Sequence, residues 1–184
     1  MYQSAKSKKL IVLIANSSWY LHNFRKELIL ELQKKGFKLL VICPKDEYSA
    51  DLKNLGCELI LWNLSRRSLN IFKEINSIMD LIKIFITIKP LLIHTFTMKA
   101  SIYGAIASVI TKKKFIINSI TGLGTLFLEK NLRISIIRFF LFPIIKILFR
   151  NKSSKLILQN HEDQKQLIKI GITNLKKSIV IPSS

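Results

Sequence analysis

Apolar residues along this chain follow two alternating patterns: short unbroken runs, and longer stretches with a three- to four-residue step. The first run, Lys8 to Ala15 (KKLIVLIA), is almost purely apolar, as a central parallel strand buried on both faces requires. Asn16-Ser17-Ser18 then supplies turn and N-cap chemistry. Trp19 to Lys35 carries Phe24, Leu28 and Leu32 four apart, on one helix face, and Gly36 suits its C-cap. The cycle repeats with a strand at Lys38 to Cys43 closed by Pro44, a short helix from Tyr48 to Leu55 ended by Gly56, and a strand at Cys57 to Leu61. Asn70 caps a long helix to Ile88, in which Ile71, Phe72, Ile75, Ile78, Met79 and Ile82 recur at helical steps. A strand at Leu91 to Thr95, a small-residue helix at Ala100 to Ile110 and a strand at Lys114 to Ile120 follow. Asn131 to Phe149 reads as helix with a break at Pro143. Lys155 to Leu158, His161 to Lys169 and Ser178 to Ile181 give strand, helix and strand.

Strands alternating with helices mean βαβ units. The expected fold is α/β: a Rossmann-like parallel sheet with helices on both faces and right-handed crossovers. No linker rich in Gly, Pro or Ser divides the 184 residues, so one domain is expected across 1–184. The chain ends at Ile181-Pro182-Ser183-Ser184, directly after a strand, which reads as a doubly wound protein cut short.

In open parallel sheets ligands bind beyond the carboxyl ends of the strands. That rule selects Asn16, Ser17 and Ser18 after the first strand, with Arg25 one helical turn further on. It selects His94, Thr97 and Lys99 at the fourth strand, Thr121, Gly122, Leu123 and Gly124 after the fifth, and Asn160 after the sixth. Asn16 and the serines can offer side-chain donors and helix N-terminal amides to an anion. Simple helix capping is the favoured role of Ser18 taken alone. The two glycines around Leu123 let backbone approach a ligand or make a tight turn. Arg66 and Arg67 lie on the same edge as phosphate partners or as solvated charges. No G-x-G-x-x-G and no P-loop is present, which argues against a nicotinamide or ATP reader.

Lys and Arg number 30 against 11 Asp and Glu, a net charge of +19. Such an excess attracts polyanions, although many lysines serve solubility alone. Between Glu129 and Glu162 there is no acidic residue, and Lys130, Arg133, Arg138, Lys146, Arg150, Lys152 and Lys155 interleave with a run of Ile, Leu and Phe. That segment, 130–155, suits the interface of an anionic bilayer, with one face left for core packing. No charge-free stretch of about 20 apolar residues and no signal peptide is seen, which places the chain in the cytoplasm, peripheral on the inner face of the membrane. Nucleic acid is not expected, because the lysines are scattered without a recognition motif. Cys43 and Cys57, with no C-x-x-C spacing, read as buried thiols.

These strand-end loops resemble family-4 glycosyltransferases of the GT-B fold, of the branch that builds capsule, O-antigen or lipid-linked glycans. The stretches that carry the likeness are ANSSWYLHNFRKELILELQKKGF (15–37), CPKDEYSADLKNLGCE (43–58), SRRSLN (65–70), HTFTMKASIYGAIAS (94–108), NSITGLGTLF (118–127) and LILQNHEDQKQLIKIGI (156–172). The resemblance implies the N-terminal, acceptor-side half of a retaining enzyme. A nucleotide sugar is its co-substrate, it has no other cofactor and no metal, and a polyprenyl-diphosphate-linked glycan is its acceptor. It implies that Asn16 to Ser18 approach the diphosphate, that His94 bonds the donor sugar, and that Thr97, Lys99 and the Thr121 to Gly124 loop shape the pocket, with Asn160 nearby. A C-terminal donor-binding domain, absent from this sequence, would act in cis or in trans. The alternative is a non-catalytic module that binds membrane or lipid-linked sugar, or a truncated gene product.

Overall fold

The computed structural model describes residues 9–65, 68, 70–123, 127 and 132–182, the side chain of Arg133 apart. Seven parallel strands form one sheet in the order β3-β2-β1-β4-β5-β6-β7. They are β1 (Leu10–Ile14), β2 (Lys38–Cys43), β3 (Glu58–Leu61), β4 (Leu92–Phe96), β5 (Ile116–Ile120), β6 (Ser154–Leu158) and β7 (Ser178–Val180). Between them run α1 (Ser18–Lys34), α2 (Ser49–Asn54), α3 (Ile71–Thr87), α4 (Met98–Ile110), α5 (Leu132–Arg150) and α6 (His161–Lys169). The chain steps outward from β1 to β3, then returns to β4 and continues the other way. Right-handed crossovers therefore put α1 and α2 on one face and α3 to α6 on the other.

The two cores agree with this. Ile11, Leu13, Leu39 and Val41 pack with Leu21, Ile29 and Leu52 on the α1 face. Val12, Ile14, Ile93, Ile116 and Leu156 pack with Leu81, Phe85, Ala105, Ile145 and Phe149 on the α4 face. Gly104 lets α4 approach β4, since a Cβ there would lie 2.6 Å from Thr95 Cγ2. Both crossover helices of the α1 face serve β1 to β3, so among the described elements no helix covers that face of β5 to β7, where Lys155 and Ile179 are exposed.

Several element ends shift by one or two residues from the expected ones, β1 and β5 both starting two residues late, and two differences have a physical reason. The fourth helix starts at Met98, two residues early, with Thr97 as its N-cap residue. The helix expected to break at Pro143 does not: α5 is continuous from Leu132 to Arg150. Proline removes one amide, the one that would have bonded the carbonyl of Phe139. Phe139 is 76 % exposed, so the lost bond falls on the solvent side of the helix, where it is least costly. Both cysteines are free and buried, as expected, and burial raises each thiol to about 11, which keeps it protonated.

Candidate active site

Strand β4 places its side chains alternately on the two faces. His94 and Phe96 point to the α1 face, next to Ile117 and Ser119 of β5 in register. His94 Nε2 lies 2.7 Å from Ser119 Oγ, and its ring stacks on Phe96 with centroids 4.1 Å apart. Arg25, on α1, lays its guanidinium over Phe96 at 5.2 Å and over Tyr20 at 5.3 Å. Burial first, and the Arg25 charge second, push the imidazole down to about 3. The ring is therefore neutral at physiological pH, a hydrogen-bonding group rather than a proton store. Burial also raises the Tyr20 phenol, with Arg25 opposing. Among the described residues Tyr20 OH, His22 Nδ1, Arg25 Nε and Thr97 Oγ1 are buried without a hydrogen-bond partner. Such atoms are costly in a closed core and expected where a polar ligand is met.

The first loop is arranged differently from the expectation. Ser17, not Ser18, caps α1, its hydroxyl accepting from Tyr20 N at 3.2 Å. Ser18 is wholly buried and bonds Ser49 Oγ at 2.9 Å and the Pro44 carbonyl at 3.3 Å. The helix amides are also taken: Asp46 Oδ2 accepts from Ser18 N at 2.7 Å and from Trp19 N at 3.1 Å. A carboxylate of the chain itself thus fills the anion position at the α1 end. Asn16 is half-buried beside it.

Lys99 is also committed elsewhere. Its ammonium donates to the carbonyls of Ser65 (2.7 Å) and Ser68 (3.0 Å) and pairs with Glu74 at 2.8 Å. All three of its protons are used, so it clamps the segment after β3 to α3 and α4 rather than facing a pocket. Tyr103 OH donates to the same Glu74, and burial raises that phenol strongly. Leu123 is buried in the α4-face core, so only its backbone can serve a ligand.

Thr121 and Gly122 are half-buried beyond β5. Gly122 has φ 149 with open space where a Cβ would stand, so backbone conformation is what demands glycine there. Asn160 is exposed and caps α6, accepting from Asp163 N at 2.7 Å. Arg66, Arg67 and Gly124 lie outside the described residues. The structure thus brings His94 and Arg25 together, sets Asn16, Thr97, Thr121 and Gly122 along the same edge, and turns Ser18, Lys99 and Leu123 to internal work. The described residues contain no group of three or more His, Cys, Asp or Glu suited to a metal ion.

A family model described as Glycosyl transferase 4-like matches residues 10–160. The chain belongs to that family. Among curated proteins this glycosyl transferase 4-like chain is similar to the N,N'-diacetylbacillosaminyl-diphospho-undecaprenol alpha-1,3-N-acetylgalactosaminyltransferase of Campylobacter jejuni. The two are 24% identical over 160 residues, which cover 87% of this chain and 42% of that protein. Among solved structures it is similar to a glycosyltransferase from Rickettsia africae (TM-score 0.66, 15% identity, 96% of this chain and 43% of that one). It is about as similar to a UDP-N-acetylglucosamine 2-epimerase from Rickettsia bellii (TM-score 0.64, 14% identity, 96% and 45%). A transferase and an epimerase at equal distance show a shared fold, not a shared reaction. The chain spans less than half the length of each of these relatives.

Sequence reasoning missed Asp46, Ser119 and Tyr20, while the strand-end rule does reach Phe96 beside His94. Asp46 was within reach of the strand-end rule, two residues beyond Pro44, and Ser119 sits beside Thr121 in the NSITG stretch. Tyr20 carries no local signal in the sequence, and only the Arg25 stacking sets it apart.

Proposed function

We propose that this chain is the acceptor-side half of a retaining glycosyltransferase that moves a sugar from a nucleotide sugar to a polyprenyl-diphosphate-linked glycan in surface polysaccharide synthesis. The observation that carries the reading is the neutral His94, bonded to Ser119 and flanked by Arg25, at the ligand edge of a glycosyl transferase 4-like sheet. With Nε2 committed to Ser119, Nδ1 is the ring atom left for a sugar hydroxyl. In sugar transfer negative charge builds on the leaving diphosphate while the sugar becomes oxocarbenium-like. A neutral imidazole orients the sugar without repelling that cationic centre, and Arg25 supplies the nearby positive charge. Asn16, Thr97, Thr121 and Gly122 shape the acceptor side, and no metal or other cofactor takes part. A C-terminal glycosyltransferase domain, in cis or in trans, holds the donor. The acceptor class is supported by the undecaprenol-diphosphate in the name of the Campylobacter relative.

The chain works at the inner face of the cytoplasmic membrane, bound to anionic lipid through 130–155, and has no nucleic-acid partner. Supporting this, α5 exposes Leu132, Phe139, Phe140 and Ile147. A groove of about 590 Å³ beside it is lined by Phe139, Phe142 and Ile170 together with Arg138 and Lys146. No helix among the described residues is long and apolar enough to cross a membrane.

The test is transfer of radiolabelled sugar from a panel of nucleotide sugars to polyprenyl-diphosphate acceptors, with the chain alone and with a C-terminal glycosyltransferase domain added. Transfer that requires the added domain, and that falls by about 100-fold in His94→Ala, is expected. Absence of transfer in both arms, with liposome binding intact, would leave a membrane-binding module and defeat the catalytic reading.

A further inference from the structure

A second cavity lies at the opposite edge of the sheet from the ligand loops. It encloses about 270 Å³ where the C-terminal ends of α4 and α5 meet the first residues of β5 and β6. Lys112, Lys113 and Lys114 line it together with Ser108, Asn151 and Ser153, and no Asp or Glu is among its lining residues.

Three properties separate it from an ordinary solvated turn. Ser108 is 2 % exposed and lines the cavity, and its Oγ has no hydrogen-bond partner. A hydroxyl buried that way costs about 1–3 kcal/mol unless something bonds it. Lys113 Nζ donates to the Ile88 carbonyl at 2.9 Å, which fixes the side chain and leaves two of its three protons free. Among the described residues Lys112 and Lys114 are paired with no carboxylate, the ion pairs there being Lys34–Glu31, Lys38–Glu58 and Lys99–Glu74.

The helix ends do not reverse this electrostatic sense. A helix C-terminus carries roughly half a negative charge. The last carbonyls of α4 already accept from the Thr111, Lys112 and Lys113 amides. Three full positive charges outweigh what remains. Further along the same edge Lys152, Lys155 and Lys177 crowd one another. Lys112 and Lys114 are exposed at the mouth with Val109, Ile110 and Phe115 beside them, while Ala105, Ile116 and Leu148 lie buried beneath, so the rim is at once basic and apolar.

We propose that this cavity is a phosphate-binding site, separate from the His94 edge, in which the Lys112, Lys113 and Lys114 ammonium groups and the Ser108 hydroxyl hold a phosphate mono- or diester. The apolar rim suits the headgroup phosphate of an anionic lipid, while a free phosphate presents the same chemistry to the lysines.

The test uses the full chain. Backbone-amide NMR is followed while inorganic phosphate is added. In parallel, co-sedimentation is measured with phosphatidylcholine vesicles containing or lacking phosphatidylglycerol. Saturable shifts at Ser108 and residues 112–114 are expected, with affinity about tenfold weaker in the Lys112→Gln/Lys114→Gln double variant. Ser108→Ala weakens binding about threefold while raising the melting temperature of the free chain by a few degrees, because the unpartnered hydroxyl is gone. Lys73→Gln/Lys83→Gln removes the same charge from α3 and leaves the affinity as it was. Capture by phosphatidylglycerol vesicles that the 112/114 variant loses identifies lipid as the source of the phosphate. Phosphate shifts with vesicle capture indifferent to the 112/114 variant identify the free anion. The proposal is overturned if phosphate gives no saturable shift and vesicle capture ignores the 112/114 variant. It is equally overturned if the α3 variant weakens binding as much, since net charge alone would then be at work.

Discussion

His94 and Thr95 are neighbours on β4, yet they face opposite sides of the sheet and opposite kinds of surroundings. On the α4 side Thr95 Oγ1 lies 2.9 Å from Ser101 Oγ and 3.0 Å from Asn118 Oδ1, and Asn118 Nδ2 donates to Ser154 Oγ at 2.9 Å. Hydroxyl and amide form a buried chain across β4, β5 and β6 in which each member has a partner. On the α1 side His94 has Ser119, but Arg25 Nε, Tyr20 OH and Thr97 Oγ1 are buried without one. A closed polar network fixes a fold; an open one costs stability and is kept where chemistry needs free donors. One strand therefore carries both, and the alternation of its side chains is what keeps them apart.

The largest expected effect is on the closed side. Asn118→Leu leaves the Ser154 hydroxyl without its side-chain partner and takes one acceptor from Thr95, which keeps Ser101, and should cost about 3 kcal/mol in urea denaturation; a loss near zero would mean that the chain of hydrogen bonds does not hold this face. Next is pH. Burial holds the folded His94 imidazole down to about 3, against an ordinary value of 6.5 in the unfolded chain, so between those values the unfolded chain binds more protons. Its contribution is complete above about pH 6.5 and drains away as pH falls, by roughly 2 kcal/mol at pH 5. Stability curves at pH 7 and 5 should converge in His94→Gln, and a variant with the native pH slope would remove His94 as their cause. Asp46→Asn weakens the charge-assisted bonds at the α1 end and should cost about 1 kcal/mol in the same assay. Smallest in stability is Arg25→Met, which keeps stacking volume over Phe96 and removes the charge. It should change stability by under about 1 kcal/mol while raising the His94 pKa seen by NMR, because burial remains but the repelling cation has gone. An unmoved His94 titration would show that burial alone sets it.

All seven strands were legible in the sequence: β1 and β2 as unbroken apolar runs buried on both faces, and the others, with exposed positions in β3, β6 and β7, as short runs set between helical stretches. Helix starts were less so. Thr97 begins α4 without a side-chain capping bond, so no local signal marked Met98. The expected break at Pro143 failed because the rule counts the lost amide and not the solvent-side position of Phe139. The site was legible as an edge and not as a set of contacts. Asp46 meets the α1 amides across 28 residues of chain, and Lys99 meets the Ser65 carbonyl across 34. A lysine and a serine that look free in one dimension are spent in three by partners that no local pattern reveals.

Asp46 turns the start of α1 into a competition. Its carboxylate is tethered beside the Ser18 and Trp19 amides, so they meet it at an effective concentration on the order of millimolar or above. Dissolved anions below that level cannot hold the helix end for long. A phosphate at this loop would have to displace Asp46, which would favour a ligand already anchored by other groups over a dissolved anion.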